Sequence, residues 1–153
     1  MAPTTQAGSI AIMPMTLGEH RLAVEALSVL EILGPHEWVG IPNTPPFLPG
    51  ALAWRGRAIA VLDLGPALGL PPLRAPSSRA RNVVIQIRDD TLSLSVDRVL
   101  EVLRVENSAI RPIHAASWIA EAGLPCKGET VVDEIVVPLL DLEAWTGGGR
   151  GKR

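Results

Sequence analysis

Apolar and polar positions alternate with period two at Leu92-Ser-Leu-Ser-Val96, and a second run, 81–88 (RNVVIQIR), precedes it across the polar pair Asp89-Asp90. Two strand-like runs separated by so short a polar break predict a β-hairpin. An earlier pair is similar: 10–17 is apolar, Gly18-Glu-His20 makes a turn, and 21–25 returns. Pro14 inside the first run cannot donate to a ladder, which points to an edge strand. The run 27–33 (LSVLEIL) fits a helix or a strand when taken alone, and Gly34-Pro35 ends it in either case. Ala58-Ile-Ala-Val-Leu62 is continuously apolar over the length of one strand, as expected of a strand buried on both faces. Before it, Pro42, Pro45, Pro46 and Pro49 each fix φ and remove a backbone donor, so 41–50 is a shaped loop leading to an Arg55-Gly56 corner.

A repeat resolves the ambiguous run. Residues 92–103 (LSLSVDRVLEVL) align without gaps to 22–33 (LAVEALSVLEIL) at an offset of 70, with identities at Leu22/Leu92, Val29/Val99, Leu30/Leu100, Glu31/Glu101 and Leu33/Leu103. Farther along, 60–64 (AVLDL) matches 138–142 (PLLDL) at an offset of 78, in the same order. Two shared blocks in one order imply a duplicated unit, and the strand character of the second copy passes to the first. The chain is then mainly β, with short strands of the kind that close into small barrels. Helical character is limited to a turn or two within 115–123. Residues 65–82, with four prolines, connect the copies, and 1–9 and 147–153 are expected to be flexible tails.

Composition removes several functions. A formal net charge of -2 over 153 residues gives no global basic field for nucleic acid or anionic lipid. Arg74, Arg79, Arg81 and Arg88 admit a small-barrel nucleic-acid binder as an alternative of another class, but one Phe and no Tyr leave little to stack on bases. A solvated basic connector is the better reading. Cys126 is the only cysteine, which excludes an internal disulfide and fits a reducing, cytoplasmic setting; Lys127 beside it would lower the thiol pKa. His20, His36 and His114 lack metal-ligand spacing, and no nucleophile elbow, phosphate loop or dinucleotide fingerprint is present. No cofactor, no metal, no catalysis and no membrane insertion are expected. Asp63 and Asp141 end repeated strands, which suits a turn or capping role better than paired acid-base chemistry.

The ordered set Val29-x-Glu31-Ile32, Ile41-Pro-Asn-Thr-Pro45, Phe47-Leu48-x-Gly50, Arg55-Gly56 and Asp63-Leu64 resembles the CheW-like adaptors of bacterial chemosensory systems. The run 96–102 and the closing Leu-Leu-Asp-Leu of 139–142 are similar as well, so the resemblance covers about 10–145. It implies two packed five-stranded SH3-like barrels within one domain at 10–146: a first subdomain at about 10–70, a linker at about 71–81 and a second subdomain at about 82–146. It also implies a non-catalytic scaffold in motility signalling, one that joins the cytoplasmic tips of methyl-accepting chemoreceptors to the regulatory domain of a CheA-type histidine kinase at receptor arrays. The chain departs from the family pattern at Ala53-Trp54, where Asn-Leu is usual, at Gly65-Pro66, at Pro14 and at Asp133. An accessory adaptor that binds receptor or another pathway protein without the kinase is the alternative.

Carried over position by position, the resemblance implies partner contacts at Glu31, Ile32, Pro42, Phe47, Gly50, Trp54, Arg55, Gly56, Val96 and Val99, with Glu31 and Arg55 close together at a groove between the barrels. Glu31 and Arg55 form either a partly buried pair or an exposed one of little energetic consequence. Gly50 either takes a positive φ, allows a close backbone approach, or is a simple turn glycine. Phe47 suits a core plug under the proline loop, and Trp54 either anchors an interface beside Arg55 or belongs to the core. The proline loop, Gly50 and Trp54-Arg-Gly56 have no counterpart in the second copy, so function is expected there.

Overall fold

Every long apolar run becomes a strand in the computed structural model, which describes residues 8–73 and 75–144. The first hairpin is β1 (Ser9–Leu17) and β2 (His20–Glu25); a 3-10 turn at Ala26–Ser28 leads into β3 (Val29–Leu33). After β4 (Val39–Gly40) come β5 (Gly50–Trp54) and β6 (Arg57–Leu62), then a 3-10 turn at Gly65–Leu68. The second hairpin is β7 (Arg81–Ile87) and β8 (Asp90–Val96), followed by β9 (Arg98–Val99) and β10 (Leu103–Glu106). A short helix α1 (Trp118–Ala122) precedes β11 (Cys126–Val132) and β12 (Ile135–Leu140). The helix starts where the Ser117 hydroxyl accepts from Ala120 N–H and stops at Gly123 with φ 76°.

These strands form two SH3-like barrels. One sheet runs β10-β1-β2-β12-β11, with β9 on β1; the other runs β3-β7-β8-β6-β5-β4. Each holds five longer strands and one two-residue strand, in keeping with the five-stranded expectation. Among the described residues the contacts divide the chain into two compact units: one gathers 8–15, His20–Leu27 and 100–144, and the other Thr16–Glu19 and Ser28–Val99. Consecutive halves at 10–70 and 82–146 are therefore not the observed division. The hairpin β1-β2 leaves the first half to join β10, β11 and β12, while β7-β8 joins β3 to β6.

The reason lies in the repeat itself. Each copy opens with a hairpin and closes with a strand, and each hairpin accepts the closing strand of the other copy in parallel. Ala23 of β2 pairs with Leu139 of β12. Val61 of β6 pairs with Ser93 of β8. The offset of 70 carries Ala23 onto Ser93 and the offset of 78 carries Val61 onto Leu139, so the two crossed ladders have equivalent registers.

Pro14 does not mark an edge strand, because β1 lies between β10 and β2. The β1–β10 ladder runs only from Ser9↔Glu106 to Ile12↔Leu103, ending before Pro14. Beyond it Leu100 N–H donates to the Pro14 carbonyl at 2.8 Å, so the proline serves as an acceptor where no donor is asked of it. β6 lies between β5 and β8 as expected of an interior strand, yet Ala58 is exposed and burial is confined to Ile59, Val61 and Leu62 on its later part.

Each unit closes its sheet ends differently. In the first, Arg111 and Glu129 exchange backbone hydrogen bonds of 2.9 and 2.8 Å. In the second, Glu31 of β3 meets Trp54 of β5 through side chains. The core of the second unit packs Trp38, Leu52, Trp54, Ile59, Val61 and Val84. That of the first packs Ile12, Ala23, Val105, Val137 and Leu139. Trp145, Arg74 and almost all of the expected tails lie outside the described residues. Among the described residues, no helix is long and apolar enough to cross a membrane.

Candidate partner-binding corner

The β5-β6 turn is the tightest feature of the proline-to-strand segment. Arg55 has φ 50° and Gly56 φ 77°, the paired positive values of a two-residue hairpin turn whose twist matches its strands. Glycine adopts such a conformation freely, whereas an arginine there costs about 1 kcal/mol or more. Asp133 and Glu134 take the same conformation in the β11-β12 turn, with φ 51° and 66°, so the backbone cost belongs to the turn and Arg55 is singled out by its side-chain partners.

Three side chains meet at the corner. The guanidinium carbon of Arg55 sits 4.7 Å from the centroid of the Trp54 ring, in cation-π range. Arg55 Nη2 donates to Glu31 Oε1 at 3.2 Å, and Trp54 Nε1–H donates to the same oxygen at 2.9 Å. The ion pair is exposed, with side chains 68% and 39% accessible for Arg55 and Glu31, so its own contribution falls within about 0 to 1 kcal/mol. Trp54 is buried in the core, and its N–H anchors the carboxylate that anchors the arginine. This relay settles two of the open alternatives: the Glu31-Arg55 pair is a surface pair, and Trp54 is a core residue that positions it.

The proline loop before β5 is stitched rather than loose. The Thr44 hydroxyl lies 3.1 Å from the Ile41 carbonyl and 2.5 Å from that of Leu48, both acceptors within the loop. Ile41 N–H donates to Pro49 O, Leu48 N–H to Pro45 O, and Asp63 N–H to Phe47 O, at 3.0, 2.9 and 2.8 Å. Gly50 closes the loop as the first residue of β5. It is neither a turn glycine nor a positive-φ one: a Cβ there would lie 2.2 Å from the Val39 carbonyl oxygen and 2.6 Å from the Trp38 ring. The close approach of backbone and indole requires glycine.

All ten positions named from the resemblance fall in the second unit. Glu31, Ile32, Arg55 and Gly56 share the β3 edge and the turn that reaches it, with Ile32, Arg55 and Gly56 exposed. Pro42 is exposed on the loop and Phe47 is half-buried beneath it. Gly50, Trp54 and Val96 are buried and shape the surface from below instead of forming it. Val96 lines a small cleft of about 130 Å³ with Leu17, Asp63, Leu70 and Asp97, apart from the Arg55 corner, and Val99 is half-buried on β9. Sequence reasoning missed the indole-carboxylate bond and the Thr44 stitch. Only the second had a local signal, a hydroxyl residue between prolines.

The remaining chemistry is structural. Asp63 is buried, accepting from Gly65 N–H at 2.9 Å and Leu73 N–H at 3.0 Å, and Asp141 accepts from Ala144 N–H at 3.2 Å. Both are caps. Lys127 does not activate Cys126, because its ammonium is engaged by Glu25. Burial first, and the charges of Asp141 and Glu129 after it, push the thiol up to about 11. Arg81 turns back onto the carbonyls of Arg79 and Ala80.

Comparison with known proteins gives the corner its setting. The model of the CheW-like domain matches residues 12–150. The chain belongs to the CheW-like family. It is 28% identical over 137 residues to a probable chemotaxis protein CheW of Rhizobium etli, covering 90% of this chain and 87% of that one. It is 26% identical over 97 residues to a chemotaxis protein CheW of Helicobacter pylori, covering 63% and 58%. Among solved structures, the scaffolding protein CheW of Thermoanaerobacter tengcongensis superposes with a TM-score of 0.76 at 25% identity, covering 88% of this chain and 86% of that one. The CheW-like family and its scaffolding neighbour make the chain a non-catalytic adaptor of chemotaxis signalling.

Proposed function

We propose that this CheW-like chain joins the cytoplasmic tip of a methyl-accepting chemoreceptor to the regulatory domain of a CheA-type histidine kinase, in the cytoplasm and at receptor arrays. The Arg55 corner carries the reading. An arginine on a rigid two-residue turn, stacked on a buried indole and oriented by Glu31, loses little conformational freedom when a partner arrives. Arg55 and Glu31 make a small charged patch suited to the polar positions of a helical receptor tip. Leu30 and Ile32 on β3, with Val39 and Ile41 around β4, are exposed apolar side chains of the same unit and form the surface for a similar small barrel of the kinase.

The test separates binding from folding. Arg55→Ala removes the cation-π contact and the exposed pair but no core atom, so its melting temperature stays within about 2 °C of the parent. Its affinity for a receptor signalling fragment, measured by titration calorimetry, falls about tenfold or more, as expected for an interface arginine. Equal affinities would remove the corner from the receptor site. Retention of receptor without kinase would support the accessory adaptor instead.

A further inference from the structure

Followed along the chain, the ladders separate two halves, neither of which is complete. Before Leu70 the chain pairs β1 with β2 and joins β4, β5 and β6; after Ala80 it pairs β7 with β8 and β11 with β12. Every other ladder named above crosses from one half to the other: β3 to β7, β6 to β8, β2 to β12, β1 to β10 and β1 to β9. Both cores are mixed in the same way. Val84 of the later half completes the cluster of Trp38, Leu52, Trp54, Ile59 and Val61, and Ile12 and Ala23 of the earlier half complete that of Val105, Val137 and Leu139.

One covalent connection joins the halves, the segment 69–80, GLPPLRAPSSRA. Pro71, Pro72 and Pro76 bias the residues before them toward extended backbone, and a segment of this length reaches at most about 40 Å. Leu73 attaches it through the bond to Asp63 and packing against the Trp38 cluster, and Leu70, Ser77 and Ala80 line the cleft beside Asp63 and Val96.

We propose that a second copy of this chain is a binding partner, and that two copies exchange halves across the linker. Each lobe of the resulting dimer holds the first half of one chain and the second half of the other. Every ladder and both cores are reproduced in each lobe, as is the Arg55 corner, which lies wholly in the first half. Only the path of the linker differs, so concentration and linker length set the balance between closed monomer and exchanged dimer. The dimer carries two partner-binding corners on one particle, which makes it a bivalent adaptor.

A protease recognition sequence inserted between the exposed residues Ala75 and Pro76 tests this. The full chain is refolded from denaturant over a range of concentrations, and the dimer is isolated by size exclusion and weighed by light scattering before and after cutting. The expected result is a concentration-dependent dimer that cutting converts into particles of one chain's mass, each containing both fragments, because the two linkers alone tie the lobes together. A dimer that keeps its mass after cutting is docked through outer faces and overturns the proposal. Return of the chain as monomer at every concentration overturns it too. Deleting 75–79 shortens the linker and raises the dimer fraction several-fold; an unchanged fraction counts against exchange.

Discussion

At the scale of single residues, the chain separates side chains that form the candidate surface from those that hold it in place. Gly50 is the clearest of the second kind, since any Cβ meets the Val39 carbonyl and the Trp38 ring. Gly50→Ala is expected to destabilise the protein by about 2 kcal/mol, read as a lower urea midpoint at unchanged slope. Its sequence signal was real but undirected, because a glycine after a proline loop suits a turn, a positive φ or a close approach equally well. The indole-carboxylate bond had no signal at all: Trp54 and Glu31 are 23 residues apart, and only barrel closure makes them neighbours. Cys126 shows how far a local sequence reading can mislead. Lys127 is adjacent in the chain but turned to Glu25, and burial decides the thiol's behaviour. The folded thiol, raised from 9.0 to about 11, holds its proton more tightly than the unfolded one. Stability is therefore lost as pH rises through the window from about 9 to 11. Thermal melts across that window should fall less steeply for Cys126→Ser than for the parent, and parallel curves would refute the assignment.

At the scale of elements, hairpins and strand order along the chain were legible because period-two alternation and polar two-residue breaks are local properties. Sheet membership was not. The repeat revealed two equivalent copies, but the same pattern fits copies that close on themselves and copies that exchange closing strands. The choice rests on parallel ladders that leave no trace in spacing. Pro14 was misplaced for a related reason: a proline forbids a donor at one point of a strand, and the ladder beside it simply ends first. The crossed registers have a consequence for stability. Ser93 on β8 is fully buried, and its hydroxyl has no hydrogen-bond partner among the described residues. Its equivalent on β2 is Ala23, also fully buried and packed in the other core. Ser93→Ala removes an unsatisfied polar atom without opening more than a hydroxyl's worth of space, so it is expected to stabilise the protein by about 1 kcal/mol. A lower denaturation midpoint would show that the hydroxyl is satisfied in solution.

At the scale of the whole molecule, the family match, the two SH3-like barrels and the Arg55 corner describe a protein that works through surfaces. The β5-β6 hairpin has its equivalent in β11-β12 at the offset of 78: Gly50 answers to Gly128 and the Arg55-Gly56 turn to Asp133-Glu134, with φ 51° and 66°, so these positions are repeated after all, and what the second copy lacks is the indole and the arginine, Val132 and Asp133 standing in their places. Duplication explains the barrels, and Trp54 and Arg55, where the second copy has Val132 and Asp133, distinguish one hairpin from the other. The equivalence of Gly50 with Gly128 and of Arg55-Gly56 with Asp133-Glu134 was hidden in the sequence, because the match at offset 78 is carried by 60–64 and the turn residues differ; it shows only in the strand registers. The burial of Gly50, Trp54 and Val96 was equally hidden, since depth depends on which strands lie across the barrel. The central claim is that the chain bridges two partners. It is tested most directly by immobilising a receptor signalling fragment and measuring retention of the kinase regulatory domain with and without this chain. Retention that requires the chain and rises with it to saturation is the predicted result; retention that is the same with and without it would contradict the account.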